Sequence, residues 1–192
     1  MRKYAVLAAS LLVAFVLLTA SSAKADSFSY TYTDGSVTAT GTLTGNLMTP
    51  GTSYTLSTGA ITIPADTFDI TGGTITLSGA LSGSGTLYAN PSSTSYSTST
   101  DGLFWYDDLL YPGRNPQLDI DGLLFEVGGI PVSINIWGNS PNSYSLYEGL
   151  GGYPYANGNG SFAATPEPVS MLLMGTFLSL AGGLLSKKKR AV

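Results

Sequence analysis

Residues 27–45 read SFSYTYTDGSVTATGTLTG, and they set a pattern that recurs along the chain. Aromatic and aliphatic residues alternate with Ser and Thr on both sides of the pair Asp34-Gly35. Strict alternation is typical of a strand with one buried face, and Asp-Gly between two such runs is the strongest short-range signal for a β-hairpin. This stretch therefore predicts two antiparallel strands joined by a tight turn.

The same alternation returns downstream in short runs separated by Gly, Pro and Asn. Pro64 is expected to break one run or to mark a sheet edge, because proline has no N–H to donate to a ladder. Turns at about every 8–12 residues indicate an all-β domain, either an antiparallel β-sandwich or a flattened barrel. Further strands are expected within 60–70, 73–88, 123–127, 132–137, 144–147 and 161–164, with a Ser/Thr-rich loop at 90–100.

The N-terminal segment has the three parts of a secretory signal peptide: a basic start, an apolar run, and a small-x-small cleavage site at Ala23 and Ala25. We expect a signal helix within residues 1–25, its removal after Ala25, and a mature chain that begins at Asp26. Because the sequence contains no Cys, a lipid-anchored lipoprotein is excluded.

The C-terminal segment, residues 165–190, reads TPEPVSMLLMGTFLSLAGGLLSKKKR. The run 169–186 has no charge, and at about 1.5 Å per residue it spans roughly 27 Å, just enough to cross a bilayer core. This run predicts one C-terminal transmembrane helix. By the positive-inside rule, the basic residues after it are expected to hold the C-terminus on the cytoplasmic side. They are Lys187, Lys188, Lys189 and Arg190.

The arrangement of this tail resembles the PEP-CTERM sorting signal of exopolysaccharide-producing Gram-negative bacteria, a region also labelled ice-binding protein C-terminal domain. The matching residues are Pro166, Glu167 and Pro168, then the apolar run 171–185 and the basic end. The resemblance implies recognition, and cleavage near the triplet, by the membrane protease exosortase. A plain membrane anchor is the alternative interpretation of the same tail.

These two ends divide the chain into three expected parts. Residues 1–25 are the signal peptide, 26–164 an acidic β-rich extracytoplasmic domain, and 165–192 the sorting signal. The precursor is expected to be held in the inner membrane by its C-terminal helix. The mature protein is then expected at the cell surface or outside the cell.

Charge and composition exclude several functions for the middle part. Eleven of the twelve acidic residues lie between Asp26 and Glu148, where Arg114 is the only base, so this part carries a net charge of about −10. Such a surface repels nucleic acid, and it repels acidic polysaccharide unless cations bridge the two. The chain has no His and no Cys, which excludes disulfides, zinc sites of His and Cys, and Ser–His–Asp triads.

A group of acids lies close together in sequence: Asp107, Asp108, Asp119, Asp121 and Glu126. Carboxylates gather in solvated turns, around Ca²⁺, or as acid and base in glycosidases. Asp119-x-Asp121-Gly122 matches a fragment of a calcium loop, so Asp119 and Asp121 are the metal candidates, although the rest of an EF-hand is missing. We expect a solvated turn.

Aromatic residues are concentrated in the second half of the chain, where Trp105, Tyr106 and Trp137 are candidates for stacking on sugar rings. Packing in the core is the other explanation, because aromatic side chains dominate cores.

Four threonines, Thr38, Thr40, Thr42 and Thr44, would share one face of the second predicted strand. Regular Thr arrays can order water and bind ice. Thr is also a common residue on exposed strand faces, and one strand does not make an array.

Taken together, the sequence indicates an exported structural or adhesive protein of the cell surface or the exopolysaccharide matrix. We expect neither catalysis nor a cofactor. The expected partners are the export machinery, exosortase, the inner membrane and exopolysaccharide, with no nucleic acid. A carbohydrate- or ice-binding module is the alternative, and a small secreted hydrolase is a third.

Overall fold

A computed structural model describes residues 27–128, 132–149 and 159–167 of the chain, which all belong to one compact unit, Asp26–Glu167. The predicted signal peptide and C-terminal helix lie outside the described residues. Within the described part, no helix is long and apolar enough to cross a bilayer. The described residues form β1 (Ser27–Thr33), β2 (Val37–Leu47), β3 (Ser53–Leu56), β4 (Gly59–Thr62), β5 (Phe68–Gly79), β6 (Gly83–Leu87), β7 (Ser97–Thr98), β8 (Trp105–Tyr106), β9 (Leu109–Leu110), β10 (Leu123–Gly128), β11 (Val132–Ser140), β12 (Ser143–Glu148) and β13 (Ser161–Pro166).

One large antiparallel sheet has the strand order β12-β11-β10-β6-β5-β2-β1-β13, and β9 pairs with β5 at its side. Two small sheets, β3-β4 and β7-β8, lie outside this order. The two ends of the large sheet approach each other, because Tyr144 of β12 forms an antiparallel bridge with Gly160, just before β13. The expected all-β antiparallel fold is confirmed, and the sheet curls into a nearly closed barrel.

The opening hairpin is confirmed residue by residue. Strands β1 and β2 pair in the register Thr33↔Thr38, with Asp34 starting the turn. The Asp34 carboxylate accepts hydrogen bonds from the backbone N–H groups of Ser36 and Val37, both at 2.8 Å. Short polar side chains that bond the backbone in this way favour turns over strands, which is why the alternation stops here.

The other expected strands also form, and 123–127 pairs with 132–137 as predicted. The Ser/Thr-rich segment 90–100 differs in part from the expected loop, because Ser97–Thr98 pairs with Trp105–Tyr106 as β7 and β8. Two residues are too few to show a period in the sequence, so this pairing could not be predicted from alternation.

The barrel interior is filled by the inward side chains of both halves of the sheet. The ring of Tyr30 stacks between Phe125 and Phe162, with centroid distances of 5.9 and 5.6 Å. Gly41 lies opposite Tyr30 in the ladder, and a Cβ there would come within 1.9 Å of the Thr74 carbonyl oxygen. The glycine therefore lets β2 approach β5 closely beside the tyrosine ring.

Gln117 closes the seam between β12 and β13. Its side-chain amide donates to the carbonyl oxygen of Ala164 at 3.1 Å and accepts from the Ala164 N–H at 2.8 Å. Its backbone N–H donates to the Tyr144 hydroxyl at 2.7 Å. One side chain thus takes the place of a neighbouring strand along the edge of β13.

Strand β13 continues past the predicted domain boundary at residue 164. Pro166 pairs with Phe28, and the Glu167 N–H donates to the Ser27 carbonyl at 2.9 Å. The Ser29 hydroxyl donates to the Glu167 carboxylate at 3.0 Å. The first two residues of the Pro-Glu-Pro triplet are therefore attached to β1, while Pro168 lies outside the described residues.

Candidate functional site

The acidic segment is buried, and the expectation of a solvated turn is wrong for most of it. Asp107 and Asp108 have no exposed surface, and Asp121 is 1 % exposed. These acids are buried because N–H and hydroxyl groups of other strands and turns reach their carboxyl oxygens and replace water. Glu126, on the outer side of β10, is exposed as expected.

Asp108 joins three separate pieces of the fold. Its carboxyl oxygens accept from the N–H groups of Asn90 at 2.8 Å and Leu124 at 3.2 Å, and its carbonyl accepts from Ile70 at 2.9 Å. Its φ of 58° lies in the left-handed region, which Asp tolerates better than most residues. Burial raises the pKa of Asp108 well above its ordinary value, although the two N–H donors oppose the shift.

The proposed calcium pair, Asp119 and Asp121, is occupied by protein donors. Asp119 accepts from the N–H groups of Asp121 and Gly122 at 3.0 and 3.2 Å, and from the Tyr111 hydroxyl at 2.9 Å. Both oxygens of Asp121 accept from Ser57, one from its N–H at 2.8 Å and one from its hydroxyl. Across the described ranges, no three acidic side chains are grouped to hold a metal ion. The geometry of this pair is that of a turn tied to β3.

Asp107 differs from its neighbours because one of its oxygens receives no hydrogen bond. Oδ1 accepts from the Leu109 N–H at 3.1 Å, whereas Oδ2 is buried and has no donor among the described residues. Burial raises the pKa of Asp107 well above its ordinary value, and the Asp119 carboxyl within hydrogen-bonding reach raises it further. Both effects favour the neutral, protonated form of Asp107.

This contact also bears on the hydrolase alternative. Glycosidase carboxyls stand about 5–10 Å apart across an open cleft, so that a sugar and a water fit between them. Asp107 is buried, and both oxygens of Asp119 already accept hydrogen bonds from other protein groups. These two acids therefore leave no space for a substrate.

A groove of about 690 Å³ lies where the β7–β8 segment packs against β11 and β12. The contact is made by Phe104, whose ring meets Tyr147 edge-on at 5.5 Å, and by the Trp105 carbonyl, which accepts from Asn135 Nδ2 at 3.0 Å. We call this the tryptophan groove. Its lining includes Leu103, Trp105, Ile120, Asn135, Trp137 and Tyr147.

Exposed apolar side chains are concentrated in this groove. Among the described residues, four large hydrophobic side chains are exposed, and three of them line it: Leu103 at 53 %, Trp105 at 57 % and Ile120 at 44 %. The fourth, Leu47, lies at the end of β2. Apolar surface that gathers in one concave place marks a binding site more often than scattered exposure does.

Both tryptophan rings are held by neighbours. The Trp137 indole N–H donates to the Asn139 side-chain oxygen at 3.0 Å, and Asn139 in turn donates to the Ser145 hydroxyl at 2.9 Å. The Trp105 ring meets Tyr96 edge-on at a centroid distance of 6.2 Å. Rings that are positioned before a ligand arrives lose less side-chain entropy on binding.

Asn135 contributes an unsatisfied acceptor to the groove. Its Nδ2 donates to the carbonyl oxygens of Trp105 and Asp121, at 3.0 and 3.1 Å. These two acceptors fix the orientation of the amide, because a flipped amide would place its oxygen against both carbonyls. Oδ1 has no donor among the described residues and is itself buried, in a side chain that is only 3 % exposed. A buried acceptor without a donor is costly, so a ligand donor that reaches Oδ1 would be favoured.

Tyr106 does not belong to this site, and its selection as a sugar-stacking residue is corrected. Its side chain is 1 % exposed and packs in a cluster with Phe104 and Leu124. Successive residues of a strand point to opposite sides, so Trp105 and Tyr106 of β8 cannot face the same groove. Leu103, Ile120 and Asn135 were missed, because no periodic or motif signal connects them in sequence.

The threonines of β2 belong to an array wider than one strand. In the ladder Thr40 lies between Thr31 of β1 and Thr76 of β5, and Thr76 is opposite Ser84 of β6. The hydroxyls of Thr42 and Thr74 are 3.1 Å apart across two strands. We call this outward surface the hydroxyl face. Its residues are Thr31, Thr38, Thr40, Thr42, Thr44, Thr74, Thr76 and Ser84.

Comparison with known proteins finds no match, since no protein-family model, curated protein or solved structure matches this chain significantly. The resemblance of 165–190 to a sorting signal therefore depends on the residues alone. Any function of the β-domain must be argued from its own geometry.

Replacing the buried acid by its amide tests whether Asp107 is protonated in the folded state. Asp107→Asn keeps a neutral side chain of nearly the same shape but has no titrating proton. The folded wild type holds this proton at pH values where the unfolded chain has lost it, so its stability falls as pH rises above about 4. We expect urea unfolding at pH 4–8 to show a smaller fall for Asp107→Asn, and a gain on the order of 1–3 kcal/mol at pH 7.

The matched control is Glu126→Gln, which neutralises an exposed carboxyl on β10. It should keep the pH profile of the wild type. Identical profiles for wild type and Asp107→Asn would show that Asp107 carries no proton in the folded state.

Proposed function

We propose that this protein is exported, is retained at the cell surface or in the exopolysaccharide matrix, and binds carbohydrate in the tryptophan groove of its β-domain. The observation that carries the proposal is the groove itself. Two positioned tryptophan rings and two exposed aliphatic side chains surround an asparagine whose oxygen has no donor. This combination is suited to a ligand with apolar faces and polar edges.

Sugar rings have that character. Their axial C–H groups form flat apolar faces, and their edges carry hydroxyl and amide groups. An aromatic face offers the negative side of its quadrupole to such C–H groups, and its area is large at low entropy cost. The exposed ring of Trp105 is the principal stacking surface, with the half-buried Trp137 as the second.

The groove favours binding without turnover. Its one acid, Asp121, has both carboxyl oxygens engaged by Ser57, so neither is placed to donate or remove a proton from a ligand. General acid–base catalysis requires such a group within hydrogen-bonding reach of the reacting atom. We therefore propose a binding module rather than a hydrolase.

Removal of the exposed ring tests the proposal. We expect Trp105→Ala to weaken binding of exopolysaccharide from the native host at least tenfold, which corresponds to about 1.4 kcal/mol of lost contact. Affinity electrophoresis or calorimetry measures the effect. Leu47→Ala removes another exposed apolar side chain, which lies outside the groove, and should bind as the wild type does. Retained binding in Trp105→Ala with an intact near-ultraviolet CD spectrum would reject the groove as the sugar site.

Retention depends on the two ends of the chain. We propose that the export machinery removes residues 1–25, that the C-terminal helix holds the precursor in the inner membrane, and that exosortase acts near Pro166, Glu167 and Pro168. Attachment of Glu167 to β1 supports a cut at or beyond this residue, because the β-domain then keeps the whole of β13. The basic residues after the helix set its orientation.

Intact-mass analysis of the protein from its native host tests the sorting proposal. We expect a mature species that begins at Asp26 and ends near Glu167 in the surface or medium fraction. Deletion of exosortase should leave the tail in place. A full-length C-terminus in the membrane fraction of the wild-type host would instead identify the tail as a plain anchor.

Ice binding is the second candidate function, and the hydroxyl face favours it. Neighbouring strands lie about 4.8 Å apart. Second-neighbour oxygens in tetrahedral water lie about 4.5 Å apart, given O–H···O distances near 2.8 Å. Thr31, Thr40, Thr76 and Ser84 lie side by side on four neighbouring strands. The spacing between the residues of this row is therefore close to the spacing of oxygens in an ordered water lattice.

Thermal hysteresis of the purified mature domain measures this second function. We expect the wild type to arrest ice growth. Thr40→Lys, in the middle of this row, should abolish the effect. Thr62→Lys, on the exposed strand β4, is the control and should keep it. A wild type without hysteresis at millimolar concentration would remove ice binding from consideration.

A further inference from the structure

We infer that the sugar taken by the tryptophan groove carries a 2-acetamido group, that is, that the ligand is a glycan containing N-acetylhexosamine. This inference rests on the proposed carbohydrate function and narrows it to one chemical class. It depends on the residues beside the tryptophans rather than on the tryptophans themselves.

The first support is the aliphatic flank of the groove. Leu103 and Ile120 stand 53 % and 44 % exposed beside Trp105. A sugar that carries only hydroxyls at its rim would bring polar groups against these side chains and leave them without hydrogen bonds, which is costly. The methyl of an acetamido group instead buries apolar surface against apolar surface.

The second support is the hydrogen-bonding capacity of Asn135. Its two amide hydrogens are engaged by the carbonyls of Trp105 and Asp121, so only an acceptor, Oδ1, is left. An acetamido N–H is a donor with no acceptor function of its own, and it matches this single requirement. Asn135 Oδ1 then gains a donor, and the acetamido N–H gains an acceptor.

The third support is charge. None of the residues that line the groove is basic, and the one base among the described residues, Arg114, lies over the Tyr111 ring at 5.5 Å in a different pocket. A uronate would therefore lose its hydration without a partner. A free ammonium would find no open acceptor at the Asp121 carboxyl, because this group is buried and both of its oxygens already accept from Ser57. A neutral acetamide incurs neither cost.

Four trisaccharides provide the test. Triacetylchitotriose, cellotriose and chitotriose share one backbone and differ at carbon 2, while trigalacturonate adds the anionic case. Calorimetry with the mature domain should give a preference of about tenfold for triacetylchitotriose over cellotriose, from one buried methyl and one hydrogen bond. Chitotriose and trigalacturonate should bind more weakly than triacetylchitotriose.

Substitutions at Leu103 and Ile120 test whether these side chains cause the preference for the acetamido sugar. Leu103→Ser and Ile120→Ser should each reduce the ratio of the affinity for triacetylchitotriose to that for cellotriose. Leu47 is 37 % exposed outside the groove, and Leu47→Ser should leave this ratio unchanged. If cellotriose binds as tightly as triacetylchitotriose and both depend on Trp105, carbohydrate binding stands and the acetamido inference is overturned. Tighter binding of trigalacturonate overturns it too. If no trisaccharide binds and Trp105→Ala leaves polysaccharide binding unchanged, both proposals fail.

Discussion

Asp107, Asp108 and Asp121 are buried in a domain whose described residues include a single base, Arg114, so their oxygens depend on backbone and hydroxyl donors. The carbonyl of Gly122 receives the N–H groups of both Asp107 and Asp108, at 3.3 and 3.0 Å. Only a glycine fits there, because φ is +70° and a Cβ would come within 2.2 Å of the Ile136 carbonyl oxygen. This network joins the middle of the chain to β5 and β10 without an ion pair or a disulfide.

The same hydrogen-bond network positions residues that line the groove. The Asp119 turn presents Ile120 outward and directs Asp121 inward to Ser57, while the carbonyl of Asp121 orients the Asn135 amide. The same amide holds the backbone of Trp105. The exposed residues of the groove are therefore positioned by buried ones, and the carboxyls of Asp119 and Asp121 act on the groove through its structure. Such support is what keeps a binding site within a fraction of an ångström of its required geometry.

The charge of the β-domain limits the polymers that its surface can adsorb. The β-domain carries a net charge of about −10, which resists adsorption to nucleic acid and to acidic polymers. Apart from the Asp121 carboxyl, the described residues that line the groove offer apolar surface and neutral hydrogen-bonding groups. The hydroxyl face consists of Thr and Ser side chains and carries no charge.

Local pattern alone determined the longer strands, the hairpin at Asp34-Gly35 and the division of charge, because period-two alternation and turn chemistry are properties of neighbouring residues. It also singled out Trp105 and Trp137, which both line the tryptophan groove. Tyr106 and the acids went wrong, because burial depends on which segment packs over a strand. Only the tertiary structure brings Leu103, Ile120 and Asn135 together. The same is true of the bonds by which Gln117 closes the seam between β12 and β13, and of the pairing of Thr40 with Thr76. These residues come from distant segments, and no local signal records the contacts that a curled sheet brings about.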